Sequence, residues 1–226
     1  MNGASFWALA AGTLALSAAF AQDPLRTLPK NYTLEFENEV VRVIRVHYGA
    51  GEKLPSHDHP KTPTVYVYLA DAGPVWFRHT GSEPFELQRP AVKKGGFRLS
   101  QGVVETHAVE NSGDAANEFL RVELKTRPLG LAGFRGRFPP PENPSANLAK
   151  PSSNLAKVEF EDAHLRIRRV VCVTDDKCEG LSVSGPVLEV AFAPAEAVSR
   201  VRWIAEGSAA ESANGPIHVL RIEFKG

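Results

Sequence analysis

The chain has 226 residues, enough for one large domain or two small ones. Its 43% apolar and 23% charged residues are ordinary for a globular protein. The formal net charge is +0 with no long basic run, so nucleic-acid binding has no electrostatic support.

Residues 1–21 read as a secretory leader, with an apolar core from Phe6 to Leu16 and a small-x-small cleavage site at Ala19-Phe20-Ala21. Cleavage before Gln22 is expected over retention as an anchor, which leaves no stable membrane insertion and a periplasmic or secreted protein. In that oxidising setting Cys172 and Cys178 are expected to pair as a disulfide across a short turn.

The mature chain reads as all-β. Tyr32-Thr33-Leu34-Glu35-Phe36 is an alternating strand, and Val40 to His47 is a second, rich in β-branched residues. His47 at its end reads as a surface residue. His57 and His59 lie one residue apart on an extended stretch, so both point to one face. Pro60 and Pro63 bracket a turn before the strong strand Thr64 to Leu69. If Thr64 faces inward, Tyr66 and Tyr68 do as well. Val75 to Thr80 and Pro84 to Gln88 are further strands. Parity leaves open which face of Val75–Thr80 is internal, and His79 reads as an outer-face residue. Phe97-Arg98-Leu99 follows a glycine turn. Glu105 shares the side of His107, two residues on, and Asn111 reads as a turn-stabilising residue. Glu118 to Lys125 closes this half.

Residues 127–153 are rich in proline and glycine and read as a linker. Beyond them the sequence echoes the first half: Leu34-Glu35-Phe36-Glu37-Asn38 recurs as Val158-Glu159-Phe160-Glu161-Asp162, and Leu120-Arg121-Val122-Glu123-Leu124-Lys125 as Leu220-Arg221-Ile222-Glu223-Phe224-Lys225. The second spacing is shorter, and the region lost corresponds to the one carrying His57, His59 and His107.

Gly51, His57 and His59, then Gly96, His107 and Asn111, stand at the spacings of the two motifs of the cupin family, which the stretch 32–126 resembles. The resemblance implies a jelly-roll-like β-barrel over 22–126, the 127–153 linker, and a truncated, metal-free cupin-like lobe over 154–226. It also implies that His57, His59 and His107 bind a divalent transition metal such as Fe, Mn, Zn, Ni or Cu. The family's usual glutamate is replaced by Thr64. Glu105 is the alternative carboxylate, as a fourth ligand or as an acceptor for an imidazole N–H. Tyr66 and Glu105 are the candidate acid–base or orienting groups. The functional expectation is a metal-dependent oxidoreductase, dioxygenase-like, acting on a small organic substrate. The alternatives are a metal-dependent isomerase or lyase, or a non-catalytic binder of a sugar or small metabolite. Pairing of barrels through edge strands, giving a homodimer, belongs to the same resemblance.

Overall fold

The computed structural model describes residues 23–80, 83–126, 136–138, 154–173, 182–183, 185–192, 199–208 and 217–225. The expected leader, Cys178 and most of the linker lie outside them. A one-turn helix, α1 (Pro24–Thr27), capped by the Asp23 carboxylate, leads into the strands. These are β1 (Tyr32–Glu37), β2 (Val41–Tyr48), β3 (Lys53–His59), β4 (Thr64–Tyr68), β5 (Val75–His79), β6 (Phe85–Arg89), β7 (Phe97–Ser100), β8 (Glu105–Asn111) and β9 (Asn117–Leu124). Then come β10 (Gly136–Phe138), β11 (Leu155–Glu161), β12 (Leu165–Cys172), β13 (Val187–Ala191), β14 (Arg200–Ile204) and β15 (Ile217–Phe224). No helix among the described residues is long and apolar enough to cross a membrane.

The strands form three antiparallel sheets: six strands ordered β1-β2-β9-β4-β7-β10, four ordered β3-β8-β5-β6, and five ordered β11-β12-β15-β13-β14. The six-stranded sheet is the middle layer, and strand alternation sorts its side chains between two cores. Val41, Val43, Val65, Val67, Leu120 and Val122 face the five-stranded sheet, where they meet Leu165, Ile167, Leu188, Leu220 and Ile222. On the opposite face Ile44, Val46, Tyr48 and Phe119 pack with Leu54, Val75, Phe77 and Val109 of the four-stranded sheet. This second core is the barrel interior.

The five-stranded sheet repeats the middle one in order and register. β1–β2 pairs Tyr32 with Val46 and bulges between Leu34 and Phe36; β11–β12 pairs Ala156 with Val170 and bulges between Val158 and Phe160. Arg42 lies opposite Glu123, as Arg166 lies opposite Glu223. Among the described residues no second four-stranded sheet covers it. Beside the shared apolar core, Arg169, which is 0% exposed, ties it to the first half. Nε and Nη2 of Arg169 donate to the Glu159 carboxylate at 2.9 Å each, and Nη2 also donates to the Gly95 carbonyl at 2.7 Å.

Within the expected linker, β10 pairs with β7 and extends the middle sheet. A strand of this length carries no periodic apolar pattern; backbone pairing to an open sheet edge defines it.

Candidate metal centre

The local backbone explains why two sequence-distant histidines meet. β3 pairs with β8, and a bulge between Leu54 and His57 shifts the register so that His57 lies directly opposite His107. A bulge adds one residue to a strand and re-aims the side chains beyond it. Leu54, His57 and His59 are all buried on the inner face as a result. The ring centroids of His57, His59 and His107 form a nearly equilateral triangle, with sides of 4.9, 5.0 and 5.0 Å. One nitrogen from each lies within 4.8 Å of the others. The three expected ligands therefore converge.

Hydrogen bonding fixes one tautomer. A carbonyl can only accept, so His57 Nδ1, 2.9 Å from the Pro55 oxygen, carries the proton. His57 Nε2 is then the lone-pair nitrogen; the Tyr32 hydroxyl, 2.8 Å away, donates to it here, and an ion held by Nε2 would take the place of that O–H. Tyr48 in turn donates to Tyr32, also at 2.8 Å. Burial pushes the His57 pKa down, and burial with Arg121 nearby pushes His59 well down. For His107 burial is again the main cause, and His57 and His79 add to it, bringing the pKa to about 2. Neutral imidazole is the form a metal requires. His107 offers the clearest sign of fit, because both of its nitrogens are buried with no hydrogen-bond partner. An unsatisfied buried polar group costs roughly 1–3 kcal/mol, a penalty that a bound cation removes for the liganding nitrogen.

The remaining predicted residues take distinct places. Glu105 faces inward opposite His59, and its Oε2 lies 3.6 Å from His107 Nδ1. It stands outside the group of nitrogens that share one point. The contact suits a carboxylate that orients the His107 ring through Nδ1 and leaves Nε2 for the ion. Thr64 is buried, but its hydroxyl donates to the Thr62 carbonyl at 2.8 Å and is not turned toward the histidines. Tyr66 and Tyr68 both line the cavity, as the parity argument required. Arg121 Nη1 donates to the Tyr66 oxygen at 2.9 Å, which leaves the Tyr66 O–H free to donate elsewhere. Asn111 is 0% exposed, and its amide bonds the carbonyls of Tyr48, Gly49 and Ala115, confirming a turn-holding role. Gly102, in the loop before β8, has φ +79°, and a Cβ there would lie 2.4 Å from the Thr62 carbonyl carbon. His47 is exposed, as expected.

His79 corrects the sequence reading. It is buried on the inner face and pairs directly across from His107, so His57, His107 and His79 form one row across three strands. Its ring stacks on Phe85 at 4.2 Å and meets His107 edge-on at 5.0 Å. Alternation within β5 gave two faces without saying which was internal; the pairing with β8 decides it. Tyr32 was also missed. It lies in β1, far from either motif, and no local pattern links it to His57.

Beside the histidines is a cavity of about 50 Å³. One water needs roughly 10–15 Å³ of such space, so the cavity takes a molecule of a few heavy atoms. His59, His107, Glu105 and Tyr66 open onto it, as do Arg89, Arg98 and Arg121.

Fold and site together describe a cupin-type β fold in which three histidines converge on one point. No protein-family model and no curated protein matches the sequence. Solved structures do match. The pirin YhhW of Escherichia coli, in complex with nickel(II), is 13% identical, with 84% of this chain and 89% of that one covered, at a TM-score of 0.52. YhaK of Escherichia coli is 13% identical over 87% of this chain and 92% of that one, at a TM-score of 0.51. A cupin domain from Bordetella pertussis is 23% identical, covering 42% of this chain and 92% of that one, at a TM-score of 0.34. At these identities the first two likenesses speak for the fold alone.

Proposed function

We propose that the protein is a metal-dependent cupin enzyme in which His57, His59 and His107 hold one divalent transition ion beside a small substrate cavity. The observation that carries this reading is the His107 imidazole, buried and unpartnered at both nitrogens, on a triangle with two other neutral imidazoles. Three neutral nitrogens suit Fe, Mn, Ni, Cu or Zn. When bound, such an ion supplies Lewis-acid chemistry or, with iron, O2 chemistry, and three protein ligands leave coordination positions open.

The chain's own groups supply the rest. Tyr66, its oxygen already accepting from Arg121, presents its O–H to the cavity and orients a substrate oxygen or gives it a proton. Glu105, 3.6 Å from His107 Nδ1, stands where it would accept that N–H once Nε2 is given to an ion. Phe77 and Phe119 limit water around the reacting atoms. The favoured reaction is dioxygenation of a small organic molecule.

Export through the 1–21 leader and a Cys172–Cys178 disulfide belong to the same proposal; Cys172 is 1% exposed at the end of β12. So does descent of residues 154–226 from a copy of the barrel that lost its metal-bearing sheet, which the shared bulge and register support.

Metal analysis and O2 uptake test the reading. The mature protein should hold one ion per chain, and the His57→Ala/His107→Ala double variant should hold none. The iron-loaded protein should consume O2 in the presence of its substrate. Unchanged metal content in the double variant would end the proposal.

A further inference from the structure

Two cationic side chains face the cavity without an ion-pair partner among the described carboxylates. Arg89, at the end of β6, lies over the Phe77 ring at 5.1 Å, and Arg98, on β7, lies over the Tyr66 ring at 3.9 Å. Neither makes an ion pair with a described carboxylate, and Arg98 Nε is buried with no hydrogen-bond partner. The third cavity arginine differs. Arg121 donates to Glu123 at 2.8 Å, so its charge is already balanced. Glu105, the carboxylate on the cavity wall, lies against His107 and is within 4 Å of neither free guanidinium.

Burying a guanidinium without a partner is costly, and the faces of Phe77 and Tyr66 offset that cost in part. Arg89 is held below its ordinary pKa by burial and then by the charge of Arg98, with Tyr66 and Glu105 offsetting only part of this, so the two cations repel across the same space. Beside them, any metal held by the three imidazoles would add positive charge. A neutral molecule would leave that potential unanswered. A carboxylate answers it, because its two oxygens match the guanidinium fork.

We infer that the cavity takes a small organic carboxylate, its charge held by Arg89 and Arg98 and its remaining atoms lying toward the three histidines. The cavity of about 50 Å³ and its aromatic walls suit a short-chain acid. The inference rests on the proposed metal centre for the reaction the acid undergoes, but not for its binding.

Calorimetric titration of the mature, zinc-loaded protein tests it, with glycolate and lactate as the acids and ethylene glycol and propylene glycol as neutral counterparts. The acids should bind and the diols should not. Arg98→Gln and Arg89→Gln should each weaken glycolate binding by about tenfold or more while zinc content is unchanged. Arg98→Lys, which keeps charge but loses the fork, should fall between wild type and Arg98→Gln; it also serves if the glutamine variant does not fold. Diols binding as well as acids, or glutamine variants binding glycolate like wild type, would overturn the inference. Failure of the metal reading looks different: His57→Ala would keep its zinc, and glycolate binding would still depend on Arg98.

Discussion

Replacing His107 by leucine separates the energetic cost of the site from its function. In the metal-free protein one ring nitrogen of His107 is an unsatisfied donor and the other an unsatisfied acceptor, both buried. At roughly 1–3 kcal/mol for each such group, His107→Leu removes a penalty of several kcal/mol and gives back part of it through lost edge contacts. Those contacts are with Phe77, His57 and His79 at 5.1, 5.0 and 5.0 Å. The net expectation is a metal-free variant more stable than wild type by about 1–3 kcal/mol, or roughly 2–12 °C in Tm for a chain of this size. Metal reverses the order. Zinc at about a hundred times its Kd adds roughly 2.7 kcal/mol to wild type and nothing to the variant. Differential scanning calorimetry with and without zinc reads both effects. A metal-free variant that melts below wild type, or one still stabilised by zinc, would refute the reasoning.

Three further perturbations follow from the fold. Gly102→Ala forces a Cβ onto the Thr62 carbonyl at φ +79°; the left-handed backbone alone costs roughly 1–2 kcal/mol, so urea unfolding should show a larger loss and zinc affinity should fall as the loop before β8 shifts. Arg169→Met strands the Glu159 carboxylate, 5% exposed, and releases the Gly95 carbonyl; a loss of about 3–5 kcal/mol is expected, partly recovered in Arg169→Met/Glu159→Gln, and a neutral single variant would contradict the role given to this tie. The third concerns pH. His218 Nε2 accepts from Arg169 Nη1 at 2.7 Å, and burial, then the Arg169 charge, hold its pKa at about 3. The unfolded chain protonates first, near the ordinary value of about 6.5, so this stability is complete above that pH and lost as pH falls toward 3, by about 1.4 kcal/mol per unit. NMR titration should find His218 neutral at pH 5, and an ordinary midpoint would count against the packing described.

The sequence carried the histidine triad further than it carried the cavity. Spacing placed His57, His59 and His107 because alternation along a strand is local and the second motif supplied the partner. The same alternation put Tyr66 and Tyr68 inside once Thr64 was taken as internal. His79 and Tyr32 needed information that spacing does not hold, namely the register of β5 and β1 against strands far away in the chain. The arginines show this most clearly. Arg98 and Arg121 flank Tyr66 only because β7 and β9 pair on either side of β4. Alternation marks each as facing away from Leu99 and Val122, but only the assembled barrel brings both to one cavity. The bulge before His57 is similar: the changed facing of Leu54 relative to His57 emerges only from pairing with β8.

Pulsed electron paramagnetic resonance of the Cu(II)-loaded mature protein tests the central claim most directly, by counting the imidazole nitrogens coupled to one ion. Three coupled imidazoles in wild type, falling by one in each of His57→Ala, His59→Ala and His107→Ala, is the result predicted. A spectrum with no imidazole coupling, or one that the three substitutions leave unchanged, would contradict it.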